Sequence, residues 1–137
     1  MAYDLNHRAA GRIDVCDNRQ VIQGIDHVQI AAPPGCEAKA RWFFGEVLGM
    51  EELEKPEELA RRGGCWFACG DQQLHIGVEQ DFRAARKAHP AFRVKYMIVL
   101  KTRLNSYKIP FRDDDANPGV KRIFVEDPWG NRLEFVE

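Results

Sequence analysis

An internal duplication constrains the fold of this chain more than any other feature. His27 lies in IDHVQIAA and His75 in QLHIGVE; His89 lies in HPAFRV and Glu134 in NRLEFVE. The two residues of each half stand nearly the same interval apart, 48 positions in the first and 45 in the second. All four segments alternate as strands do, and in each the polar residue is out of phase with the apolar ones. Val28 and Ile30 oppose His27, while Leu74, Ile76 and Val78 oppose His75. Phe92 and Val94 oppose His89 and Arg93, and Leu133 and Phe135 oppose Arg132 and Glu134. Each strand offers one apolar face to a core and leaves an imidazole or a carboxylate on the other. Such a pattern is how a divalent-metal site is built where two repeated units meet.

The order of elements repeats as well. After the first strand, Pro33-Pro34-Gly35 stops the chain, and Ala40, Phe43, Phe44, Val47 and Leu48 form one helical stripe. Gly49 terminates it. A short strand over 50–53 follows, then PEELARRGG as a helical turn or loop. Two strands near 65–69 and 73–79 complete a β-α-β-β-β unit. Residues 80–88, QDFRAARKA, are a charged connector with short-helix character. In the second half, Met97, Leu100, Leu104 and Tyr107 mark a helix that lacks a good capping residue, since Lys95-Tyr96 precede it. A short strand near 110–112 and the DDDANPG loop come next. A last hairpin of 120–126 and 131–136 is turned by DPWGN. The expected architecture is α+β: two tandem βαβββ modules, 23–80 and 88–137, forming an open, barrel-like mixed sheet around a central cavity with helices outside. Residues 1–22, polar and aperiodic, are expected as a tail.

Composition narrows the function classes. The 137 residues suffice for one compact domain or two small fused modules. With 20 basic and 21 acidic side chains and no long basic stretch, nothing favours nucleic acid or an anionic membrane as partner. The apolar runs are too short to span a bilayer, and the N-terminal stretch lacks the apolar core of a secretory signal. A cytoplasmic protein is expected. Cys16, Cys36, Cys65 and Cys69 contain no CxxC pair, so reduced thiols are expected rather than a zinc knuckle or disulfides.

HVQIAA, the QLHIGVE strand, the HPAFRV strand and GVKRIFVEDPWGNRLEFVE together resemble the vicinal oxygen chelate superfamily, which holds glyoxalase I, fosfomycin- and bleomycin-resistance proteins and extradiol dioxygenases. The DPxGNxxE ending is the most specific of these motifs, and the resemblance covers residues 24–137. It implies paired βαβββ modules around a divalent metal whose ligands here are His27, His75, His89 and Glu134. His75 departs from the carboxylate usual at the fourth position in glyoxalase-type members. It therefore stands as a ligand, a hydrogen-bond donor to one, or an acid/base group facing substrate. The resemblance also implies a homodimer.

Imidazole and carboxylate donors suit Zn²⁺, Ni²⁺, Co²⁺, Mn²⁺ or Fe²⁺ without choosing among them. The expected function is a small glyoxalase-like metalloenzyme acting on an oxygen-bearing small molecule. Lyase or isomerase chemistry leads, and ring-cleaving dioxygenation remains open. Glu134 and His75 are the candidate catalytic groups; Arg122, Phe124, Arg93 and Gln29 are candidate substrate contacts. The competing expectation is a resistance-type protein that binds a drug or metabolite without turning it over.

Overall fold

The computed structural model describes residues 21–137. All but the last two residues of the expected tail, with His7 and Cys16, lie outside them. Period-two segments become strands, and they assemble into two four-stranded mixed sheets. The first contains β1 (His27–Ala32), β2 (Glu52–Leu53), β3 (Cys65–Cys69) and β4 (Gln72–Val78) in the order β1-β4-β3-β2. The second contains β5 (Ala91–Arg93), β6 (Arg112–Asp113), β7 (Arg122–Glu126) and β8 (Arg132–Val136) in the order β5-β8-β7-β6. In both sheets the first and last strands pair in parallel and the other pairings are antiparallel. The duplication read from the sequence is thus a duplication of topology. The two sheets do not close into a barrel.

The helices lie where the apolar stripes place them. Helix α1 (Glu37–Ala40) continues into a π-helical segment, Arg41–Val47, where Leu48 N donates to Phe43 O at 2.9 Å. The wider turn accompanies two consecutive aromatics that are both buried, Phe43 and Phe44, packed edge to face at 5.0 Å. Helix α2 (Glu57–Ala60) is a single turn in the PEELARRGG loop. Helix α3 (Met97–Ser106) buries Met97 and Leu104, with Leu100 and Tyr107 half-buried behind them. The helix faces and the inner sheet faces share one contiguous core, from Phe44 and Phe67 to Leu133 and Phe135. Among the described residues no helix is long and apolar enough to cross a membrane. Cys36, Cys65 and Cys69 are free thiols, and burial pushes all three above the usual thiol range, Cys65 to about 11.

Three local features differ from the sequence reading. The connector 80–88 is not helical. Ala85 N donates to Asn131 Oδ1 at 2.8 Å and Arg132 N donates to Ala85 O at 2.9 Å, so its backbone is committed to the last hairpin instead of to itself. The β6 strand falls at Arg112–Asp113, one or two positions later than expected. Helix α3 does have a cap, but from the far end of the chain: a Glu137 carboxylate oxygen accepts from Met97 N at 2.5 Å. That bond and the Lys121 ammonium, 2.9 Å away, hold the Glu137 carboxyl below its usual range.

The DPWGN turn does more than reverse the chain. Gly130 adopts φ +94°, which favours glycine, and its conformation brings Asn131 back under Asp127. Asn131 Nδ2 donates to Asp127 Oδ2 at 2.7 Å and across the module boundary to Ala31 O of β1 at 2.9 Å. Asp127 Oδ1 in turn accepts from Trp129 N and Asn131 N at 3.0 and 2.8 Å. Both side chains are buried. Burial pushes the Asp127 carboxyl upward, and the N–H donors around it oppose that shift.

Replacing Asn131 with Ala strands Ala85 N, Ala31 O and Asp127 Oδ2, and is expected to cost about 3 kcal/mol of stability. Urea unfolding measures it; a change within about 0.5 kcal/mol would contradict this role, because that is the range of a surface site. For Glu137, the depressed folded-state pKa contributes stability at neutral pH that is lost as pH falls through the acidic range. Thermal unfolding from pH 7 to 3 should therefore fall less steeply in Glu137→Gln than in the unaltered protein.

Candidate functional site

The two strand pairs present their polar residues in related registers. In the first sheet His27 stands opposite Gln73, two residues before His75. In the second, Ala91 stands opposite Glu134, and extending that ladder backwards sets His89 beside Arg132, two residues before Glu134. His27 and His89 are therefore equivalent, as are His75 and Glu134. The candidate ligands form two half-sites related by the duplication.

Each half-site is ordered by hydrogen bonds that select a tautomer. His27 Nδ1 lies 2.9 Å from Asp26 Oδ2, and His89 Nδ1 lies 2.6 Å from Lys87 O. Both partners are acceptors, so both Nδ1 atoms carry the proton and donate. His27 and His89 thus each leave Nε2 available, with an oxygen fixing the ring behind it, the arrangement that orients imidazole ligands in metal sites. His75 is tied the other way, Nε2 donating to Gln73 Oε1 at 2.9 Å and leaving Nδ1.

The first half-site is a three-ring stack. Trp66 lies over His75 at 4.2 Å with 7° between planes, and His75 lies over His27 at 4.2 Å with 16°. The stack buries His75, and burial together with the neighbouring His27 pushes its pKa down, so its neutral form is favoured. Gln29, opposite His75 in the ladder, folds over Gly77, where an added Cβ would sit 2.5 Å from the amide nitrogen.

The second half-site carries the charge. His89 Nε2 faces Glu134 Oε1 at 3.3 Å. With Nδ1 already donating to Lys87 O, a neutral His89 would set a lone pair against a carboxylate oxygen. The pair therefore calls for a proton shared between ring and carboxyl, or for a cation between them. Arg122 adds a positive charge beside the pair: its Nε lies 3.5 Å from Glu134 Oε2 and its Nη1 lies 3.6 Å from Asp114 Oδ2. The Nε is nonetheless buried without a hydrogen-bond partner. Phe124 stands edge-on to His89 at 5.7 Å, between Arg112 and Glu134 in the strand register. Arg93 is exposed at the end of β5.

The donor types and tautomers fit a divalent cation, but their grouping within one chain does not. Parallel stacked rings do not converge their in-plane lone pairs on a common point. Among the described residues no three His, Cys, Asp or Glu side chains are gathered to hold a metal. The structure brings His27 to His75 and His89 to Glu134, and leaves the two pairs as separate halves. Two surface cavities, one along α3 and one beside α2, are lined by other residues. Sequence reading missed the clustering of Arg112 and Arg132 about Phe124. The alternation in RIFVE and RLEFV was the available signal for Phe124 and Arg132, which it sets on the Glu134 face, whereas Arg112 joins them only through the β6–β7 register.

Comparison with known proteins agrees with this architecture. No protein-family model and no curated protein sequence matches the chain. Among solved structures, a glyoxalase family protein from Bacillus anthracis is 59% identical, with a TM-score of 0.85 over 87% of this chain and 98% of that one. A glyoxalase family protein from Enterococcus faecalis is 29% identical, with a TM-score of 0.64 over 84% of this chain and 98% of that one. The fold alone is shared with the fosfomycin resistance protein FosX from Listeria monocytogenes, 15% identical over 84% of this chain and 92% of that one. Its TM-score is 0.69, and its mutant was crystallised with Mn(II) and 1S,2S-dihydroxypropylphosphonic acid. With this sequence identity, coverage and topology, the chain belongs to the glyoxalase family of the vicinal oxygen chelate superfamily.

Proposed function

We propose that this protein is a small glyoxalase-type metalloenzyme whose metal site is completed by a second copy of the chain. The His89–Glu134 pair is the observation that carries the reading, because it sets an anchored imidazole lone pair beside a carboxylate, the donor pair a divalent cation would bridge. Its duplicate, His27 with His75, has the same register but no carboxylate. A dimer that sets one copy's first half-site against the other's second would gather one imidazole of the His27–His75 stack with His89 and the Glu134 carboxylate. Closed point-group dimers do this twice by symmetry. The Mn(II) reported in the FosX structure supports a divalent ion on this fold.

A bound divalent ion would act as a Lewis acid toward the oxygens of a small substrate. The chain's own residues fix the rest. Asp26 and the Lys87 carbonyl hold the rings of His27 and His89 in one tautomer. His75, neutral and with Nδ1 open, is a proton acceptor or ligand beside His27. Glu134 is the only carboxylate among the four and serves as ligand, or as base when displaced. The lyase or isomerase class follows from these parts better than ring cleavage does, since the described polar faces offer proton-transfer groups and no tyrosine.

A non-catalytic binding protein is favoured by one observation, the Arg122 guanidinium that already partly neutralises Glu134. Elemental analysis of protein purified without chelator or histidine tag separates the readings. The metalloenzyme reading expects about one divalent ion per chain, lost in both His27→Ala and Glu134→Ala, since removing a ligand costs at least 10–100-fold in affinity. Metal-free protein that regains none on adding Ni²⁺, Zn²⁺, Mn²⁺ or anaerobic Fe²⁺ would favour the binding protein instead.

A further inference from the structure

A surface cavity of about 430 Å³ runs along α3, lined by Ile98, Val99, Thr102, Arg103, Ser106 and Tyr107. Its polar groups are already engaged. Thr102 Oγ1 donates to Ile98 O at 2.8 Å and Ser106 Oγ donates to Arg103 O at 2.7 Å, so both hydroxyls turn back onto their own helix. Tyr107 Oη donates to Glu46 Oε1 at 3.4 Å, and Arg103 Nη1 lies against Gly49, where an added Cβ would sit 2.7 Å from it. What the groove offers an incoming group is therefore aliphatic. Ile98 and Val99 are 75% and 52% exposed, away from the face on which α3 buries Met97 and Leu104. Trp42 extends the patch onto the neighbouring helix, edge-on to Tyr107 at 6.3 Å. An apolar patch of this kind marks an interaction site.

The same chain carries an apolar segment with nothing to cover it. Val21, Ile22 and Ile25 are 70%, 83% and 64% exposed in the coil that enters β1. With Trp42, Tyr96, Ile98 and Val99 they complete the set of exposed large hydrophobics among the described residues, so this surface consists of one strap and one helix face. Their lengths match. Extended, residues 21–25 span about 13 Å, and positions 98 to 106 span about 12 Å along a helix. Within one chain the strap and the groove leave each other exposed, so a contact that covers both lies between copies. The strap opens the first module and α3 belongs to the second. Exchange therefore sets one copy's first module beside the other's second, the pairing that the two half-sites require. Two straps with their two grooves would bury on the order of 1,200 Å² in all, the lower end of what a specific interface covers. Reciprocal exchange closes after two copies and leaves no patch over.

We propose that residues 21–25 of each copy seat in the α3 groove of a second copy, as a reciprocal apolar strap that holds the dimer together. The proposal rests on the reading that two copies combine their half-sites, but its contacts involve no metal.

Sedimentation velocity of the full chain in chelator, over a wide range of concentration, reads the strap without the metal. The unaltered protein is expected to be a dimer. Ile22→Asp and Val99→Asp should each weaken self-association about a hundredfold or more, because each removes two aliphatic contacts per dimer. Both positions are exposed in the single chain, so native far-UV circular dichroism is expected to persist. Mild oxidation of an equimolar mixture of Ile22→Cys and Val99→Cys copies, one of them isotope-labelled, should link positions 22 and 99 of different chains, as peptide mass spectrometry reads. A monomer at every concentration, a dimer that either aspartate variant leaves intact, or a 22–99 link that forms only inside a doubly substituted chain would overturn the strap. A strap-dependent dimer that takes up no divalent ion would overturn the metal reading alone, so the two fail separately.

Discussion

Within the core that the two modules share, Asn131 supplies the polar link that fixes one against the other. Its side chain makes three hydrogen bonds, to the connector at Ala85, to the turn at Asp127 and to β1 at Ala31. Ala31 is four residues along β1 from His27, and Asn131 is three residues before Glu134. One buried amide therefore fixes the strand that starts at the first half-site against the strand that carries the second. A buried amide with every arm satisfied specifies geometry because each alternative leaves an unpaired polar group. The glycine before it, the aspartate under it and the non-helical connector beside it all serve that one arrangement.

The electrostatics of the two halves diverge from a shared backbone plan. The first half is aromatic, with His75 clasped between Trp66 and His27 and its pKa pushed down by burial. The second is ionic, with arginines, aspartate and glutamate around an imidazole. His75 stands at the position equivalent to Glu134, so the strand pair of the first half carries no carboxylate there.

Much of this was legible in the sequence, because local periodicity is local physics. Val28 and Ile30 opposing His27, or Leu133 and Phe135 opposing Glu134, need only the alternation of a strand, and these faces appear as expected. The Phe43–Phe44 stripe was visible for the same reason, though not its π-helical form. What escaped depended on residues far apart in the chain. Glu137 caps a helix forty residues earlier, Asn131 reaches β1 across one hundred residues, and QDFRAARKA gives up its helical composition to pair with a hairpin. The separation of the four ligands into two pairs was equally out of reach, since spacing places each residue on a face but does not set one sheet against another.

The central claim, that each metal site combines the first half of one chain with the second half of another, meets its most direct test in subunit mixing. His27→Ala and Glu134→Ala are each expected to be metal-free. Unfolded together, refolded and loaded, they form mixed dimers in which one of the two sites has both halves intact. Random pairing then restores about a quarter of the metal content of the unaltered protein. Restoration at that level, with light scattering showing a dimer, is the predicted result. Full metal loss that persists after verified subunit exchange would place all ligands on one chain and contradict the account.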